Sequence, residues 1–66
     1  MTVDKFSETY GFKSKYYRNV AEKGTLQQQG QYGIIYAEVV TGNLQDWEID
    51  DRAERLEMIY LASCQV

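Results

Sequence analysis

Cys64 is the only thiol in the chain, and there is no histidine to take its proton. A cysteine nucleophile needs a base or a cation held beside it, and a residue two places from the end has little scaffold to hold either. Lack of histidine also removes the most frequent general base, and one thiol alone makes no zinc cage. Ten carboxylates remain. Asp46, Glu48, Asp50 and Glu57 stand at positions 1, 3, 5 and 12 of a calcium-loop spacing, but Asp51 occupies the sixth place, where that loop requires glycine. No glycine-rich phosphate loop leads into Lys-Ser or Lys-Thr. The inventory therefore predicts a protein that binds and does not catalyse, with no cofactor and no metal.

The chemistry best represented is that of charged and amide groups suited to nucleic acid. Lys13, Lys15, Tyr16, Arg18 and Asn19 fall within seven residues. Lysine and arginine match phosphates and guanine edges, asparagine matches adenine, and a tyrosine hydroxyl can contact the backbone. Residues 1–24 carry a balance of +2 and residues 25–66 a balance of −5, for a net −3. A basic front and an acidic back suggest two surfaces with different partners.

The basic residues need a helix to present them together. Val3, Phe6 and Tyr10 are spaced as one apolar stripe, with Thr2 as a cap and Gly11 as an expected positive-φ terminator. Ser14 then caps a second helix over 15–23, closed by Gly24. On its wheel Tyr17, Val20 and Ala21 share the inner side, while Lys15, Arg18, Asn19 and Glu22 face outward.

Residues 25–42 are compatible with two structures. Gly24, Gly30 and Gly33 punctuate Thr25–Gln31, and Ile34–Val40 is rich in β-branched residues, which favours two strands around a turn near Gly30 as a small hairpin. Tyr32, Ile35, Tyr36, Val39 and Val40 also fit helical spacing, ending at Thr41-Gly42. A long last helix over about residues 44–63 is the clearest element. Asn43 and Asp46 form a capping pair, and Glu48–Arg52 and Asp51–Arg55 are i, i+4 pairs. Ile49, Ala53, Leu56 and Tyr60 form its inner stripe. Trp47, Phe6 and Tyr17 read as core, and Tyr16, Tyr32 and Tyr36 as the more exposed aromatics.

Sixty-six residues with one cysteine fold without an internal disulfide, so packing or self-association must supply the stability. Leu56, Met58, Ile59, Tyr60, Leu61 and Ala62 cover nearly every side of the last helix's end, more than a small monomer can bury. Leu56, Met58, Ile59 and Leu61 are accordingly candidate interface residues, for a homodimer or for docking onto another protein. The start Thr2-Val3-Asp4 is unlike a signal peptide, no run suits a membrane span, and the lone thiol suits a reducing, cytoplasmic setting.

Residues Val3–Leu26 resemble the opening of excisionase-type and mercury-resistance-regulator-type winged helix-turn-helix domains. The likeness lies in a short helix ending at glycine and a Ser-capped helix, Ser14-Lys15-Tyr16-Tyr17-Arg18, closing in Glu22-Lys23-Gly24-Thr25-Leu26. Gln27–Val40 would supply wing and strand, and Asn43-Leu44-Gln45-Asp46-Trp47 the start of the following helix. The resemblance implies an α+β winged helix-turn-helix that regulates transcription or recombination, in a phage or mobile element, with Lys13, Lys15, Tyr16, Arg18 and Asn19 on DNA. The alternative fold is an all-α bundle. The alternative function is a small acidic, aromatic adaptor or inhibitor acting on a host protein.

Overall fold

The computed structural model describes residues 1–64. They form four helices: α1 (Val3–Tyr10), α2 (Lys15–Lys23), α3 (Leu26–Thr41) and α4 (Asp46–Ser63). Each start has a local cause. The Thr2 hydroxyl accepts from the Lys5 amide at 3.2 Å and the Ser14 hydroxyl from the Tyr17 amide at 3.2 Å, satisfying donors that a helix leaves open. Gly11 and Gly24 close α1 and α2, but with φ of −70° and −76°, not in the left-handed region. What selects glycine there is close approach. A Cβ at Gly24 would lie 2.6 Å from the Val20 carbonyl oxygen, and one at Gly11 would collide with that of Ser7.

The expected α+β fold is corrected at residues 25–42. No strand occurs among the described residues, and Leu26–Thr41 is one 16-residue helix. Its start is a capping box, in which the Thr25 hydroxyl accepts from the Gln28 amide (3.1 Å) and the Gln28 side chain accepts from the Thr25 amide (2.9 Å). The Gln29 side-chain amide donates to the carbonyls of Ala21 and Gly24, both at 3.2 Å, and so fastens α3 to the end of α2. Burial then outweighs the β propensity of Ile34, Ile35, Val39 and Val40, because the helix alone puts Tyr32 and Val39 on one inward face. The residues assigned to wing and strand by the winged-helix resemblance are helical throughout.

α4 begins two residues later than expected. Gln45, not Asn43, is its cap, and the Glu48 carboxylate accepts from the Gln45 amide at 3.1 Å. Glu48 is thereby occupied, and Arg52 turns to Glu38 of α3 (3.3 Å) and to Asp51 (2.7 Å), while the expected Asp51–Arg55 pair forms at 3.4 Å. α4 packs on all three other helices, most extensively on α3 and α2.

The core consists of Phe6, Tyr10, Val20, Tyr32, Val39, Ile49, Ala53 and Leu56. Aromatic contact runs through it. Phe6 meets Tyr10 (5.2 Å) and Tyr36 (5.7 Å), Tyr10 meets Tyr16 (5.1 Å), and Tyr16 meets Tyr60 edge-on (4.4 Å). Phe12 and Tyr17 continue the cluster at 4.6 Å, and Tyr17 reaches Tyr32 at 5.8 Å. Such pairs add about 0.5–1.5 kcal/mol each beyond burial, which is how a chain without cross-links holds a small core. Tyr32, expected among the exposed aromatics, is fully buried, and its hydroxyl donates to the Tyr10 carbonyl at 3.3 Å. Tyr16 and Tyr36 are half-buried against the core. Trp47, expected inside, is 70% exposed because it lies across α4 from Ile49 and Leu56.

Candidate interaction surfaces

The first of two candidate surfaces is positioned by α2. Lys13, Lys15 and Arg18 are exposed, and among the described residues none of the three makes an ion pair. The Lys15 ammonium lies 5.4 Å from the Tyr16 ring centroid, a cation–π contact that leaves its charge in solvent. The other two expected DNA contacts are committed elsewhere. Tyr16 is held between Tyr10 and Tyr60. The Asn19 side-chain amide donates to the Ser63 hydroxyl at 2.8 Å and to the Cys64 sulfur at 3.2 Å, while Ser63 donates to the Tyr60 carbonyl at 2.7 Å. Asn19 thus clasps α2 to the end of α4. The helical wheel misplaces it because the buried arc of α2 is centred on Tyr16, Tyr17 and Val20, with Ala21 exposed.

The second surface belongs to α3 and α4. Of the four candidate interface residues, Leu56 is fully buried beneath the other helices and belongs to the core. Ile59 is half-buried and packs against that core. Met58 and Leu61 are 64% and 51% exposed on the outer side of α4. These two are the exposed members of the four. Met58 and Ile59, with Arg55, form one wall of a groove whose other wall is Gln31, Ile34 and Ile35 of α3, enclosing about 390 Å³. Ile34 is 63% exposed at its lip, and Arg55 places a cation at its rim, within 3.4 Å of Asp51.

Residues 26–37 contribute surface that sequence reasoning missed. Leu26 is 85% exposed, and Gly30, Ile34 and Ala37 continue its outward line. The signal was present in Thr25-x-x-Gln28, a capping box that marks the start of a helix, and in the absence of any charge across residues 25–37. Among the described residues no helix is long and apolar enough to cross a membrane. No protein-family model matches the chain, and comparison with curated proteins and with solved structures found no match.

Proposed function

We propose that this chain acts by binding another protein, which docks an apolar segment in the α3–α4 groove and over Met58 and Leu61. The supporting observation is the groove itself: Ile34 and Met58, each more than 60% exposed, flank Ile35 and Ile59 in one continuous hollow. Single exposed apolar residues are ordinary on a protein surface, whereas a concave cluster of them is characteristic of docking sites. Arg55 at the rim favours a partner segment carrying a carboxylate. With its one thiol exposed, the chain fits a reducing, cytoplasmic setting.

The test is a purified binary complex. A partner recovered with the wild-type chain is prepared separately and titrated against wild type, Met58→Glu/Leu61→Glu and Lys15→Ala/Arg18→Ala. Removing an interface anchor costs about 2 kcal/mol or more, so the α4 variant should bind at least ~30-fold more weakly while the α2 variant binds as wild type does. Equal affinity for the α4 variant would remove this groove from the function.

Exposed, unpaired Lys13, Lys15 and Arg18 favour a second reading, in which α2 grips nucleic-acid phosphates. It needs no wing, but Tyr16 and Asn19 are no longer free to serve it. Its mark is affinity for duplex DNA that falls steeply with salt. The salt slope should drop by about one for each phosphate that Lys15→Ala/Arg18→Ala no longer neutralises. No binding at ~50 mM salt would dismiss it.

A further inference from the structure

The side of α4 turned away from the other three helices carries two adjoining ridges. On the helical wheel Trp47, Met58 and Leu61 fall within about 60° of one another, opposite buried Ile49 and Leu56. Trp47 is 70% exposed, the most of the three. From Trp47 to Leu61 the ridge runs about 21 Å, the reach of four helical turns. Beside it lies a second ridge of exposed carboxylates, Asp50, Glu54 and Glu57. Asp50 meets the Met1 ammonium at 2.8 Å, whereas Glu54 and Glu57 make no ion pair among the described residues. On the opposite flank, toward the groove, Arg55 and Asp51 offset each other. With six carboxylates and two arginines, α4 has a balance of −4, exceeding the net −3 of the whole chain.

Charge decides what can cover this side. A second copy offering the same side would set Glu54 and Glu57 against carboxylates of its own, and nucleic acid or an anionic membrane would be repelled alike. An uncharged apolar segment would suit Trp47 and Met58 but would strip water from the neighbouring carboxylates and give them no partner. A helix with apolar residues flanked by lysine or arginine meets both ridges. Its cations pair with Glu54 and Glu57, and its apolar stripe covers Trp47, the residue type that most often anchors such contacts.

We infer that the outer side of α4 docks a basic amphipathic helix of another protein, with cations against Glu54 and Glu57 and apolar side chains on Trp47, Met58 and Leu61. This rests on the protein-docking reading above and shares Met58 and Leu61 with it, but requires nothing of Ile34 or Ile35. The probe is a synthetic helical peptide of ~18 residues with leucine on one face and lysine on the other, compared with a leucine–glutamate peptide of the same pattern. Trp47 is the only tryptophan of the chain, so docking reads directly as a blue shift of its emission. The lysine peptide should produce that shift and the glutamate peptide should not.

In anisotropy titrations with labelled lysine peptide, Trp47→Ala and Glu54→Lys/Glu57→Lys should each bind at least ~10-fold more weakly. Glu8→Lys/Glu22→Lys alters two exposed carboxylates of α1 and α2, changes the net charge equally, and should stay within ~3-fold of wild type. Ile34→Glu, which spoils the groove, should bind as wild type does. Equal losses for the two charge variants, or no shift of Trp47 emission, would overturn the inference. Loss of binding by Ile34→Glu with Trp47→Ala unaffected would keep the groove and sink the α4 ridge. Sedimentation in which wild type alone associates and Glu54→Lys/Glu57→Lys does not would give this side to a second copy instead.

Discussion

Replacing Gly30 and Gly33 by alanine should make this protein more stable. Both lie inside α3, and the added methyl group would meet no atom within 4 Å. The change therefore acts through backbone entropy and helix propensity alone, worth about 0.8–1 kcal/mol at each position in an exposed helix interior. Two such changes amount to roughly 1.5–2 kcal/mol, a large share of the ~3–5 kcal/mol that a core of this size supplies. At about 4–8 °C per kcal/mol for a domain of this length, the double variant should melt about 6–16 °C higher. The assay is thermal and urea unfolding followed by circular dichroism, at low protein concentration so that self-association does not contribute. Gly24→Ala is the control and should destabilise, since its methyl group would be forced to within 2.6 Å of the Val20 carbonyl. A hairpin over residues 25–40 would respond in the opposite sense, because alanine at a glycine turn is strained. Unchanged or lowered melting for Gly30→Ala and Gly33→Ala would refute the helix and the reasoning built on it.

Leu56→Ala removes a fully buried side chain and should cost about 2–5 kcal/mol, most of the stability of a core this size, read as a large drop in the urea midpoint by circular dichroism. Leu56→Met, which nearly conserves volume, should cost less than about 1.5 kcal/mol. Burial pushes the Tyr32 hydroxyl well above the ordinary tyrosine range, and burial followed by the charge of Glu57 raises that of Tyr10. The unfolded chain then releases these protons first, so their contribution is complete below pH ~10 and declines as pH rises beyond it. The urea midpoint should be lower at pH 11 than at pH 8, and Tyr32→Phe should fall less between those two pH values; equal midpoints in wild type would contradict this. Asn19→Ala breaks the clasp to Ser63 and should cost about 1 kcal/mol, with faster amide exchange confined to the last turn of α4.

Where the deciding interactions lie between neighbours in the chain, residues alone specified the structure. Thr2 and Ser14 cap the helices they precede, Gly11 and Gly24 end them, and Ile49, Ala53 and Leu56 face inward on α4. The exposure of Lys13, Lys15 and Arg18 was legible for the same reason: solvent is the default for a charge without a partner. The box at Thr25 and Gln28 was equally local, and its presence argues for a helix over a strand even before the glycines are weighed.

Tertiary packing decided the remainder. Glycines and β-branched residues in 25–42 suit a strand and a helix alike, and the choice rests on Tyr32 and Val39 joining Phe6, Ile49 and Leu56 in one core. Asn19 faces inward only because Ser63, 44 residues away, arrives beside it. Leu56 and Met58 are both apolar residues of one helix, yet one is sealed and the other bare, since α1, α2 and α3 cover a single side of α4. Spacing along a chain gives the angle between side chains on a helix; which of those angles is covered depends on helices that approach from elsewhere in the sequence.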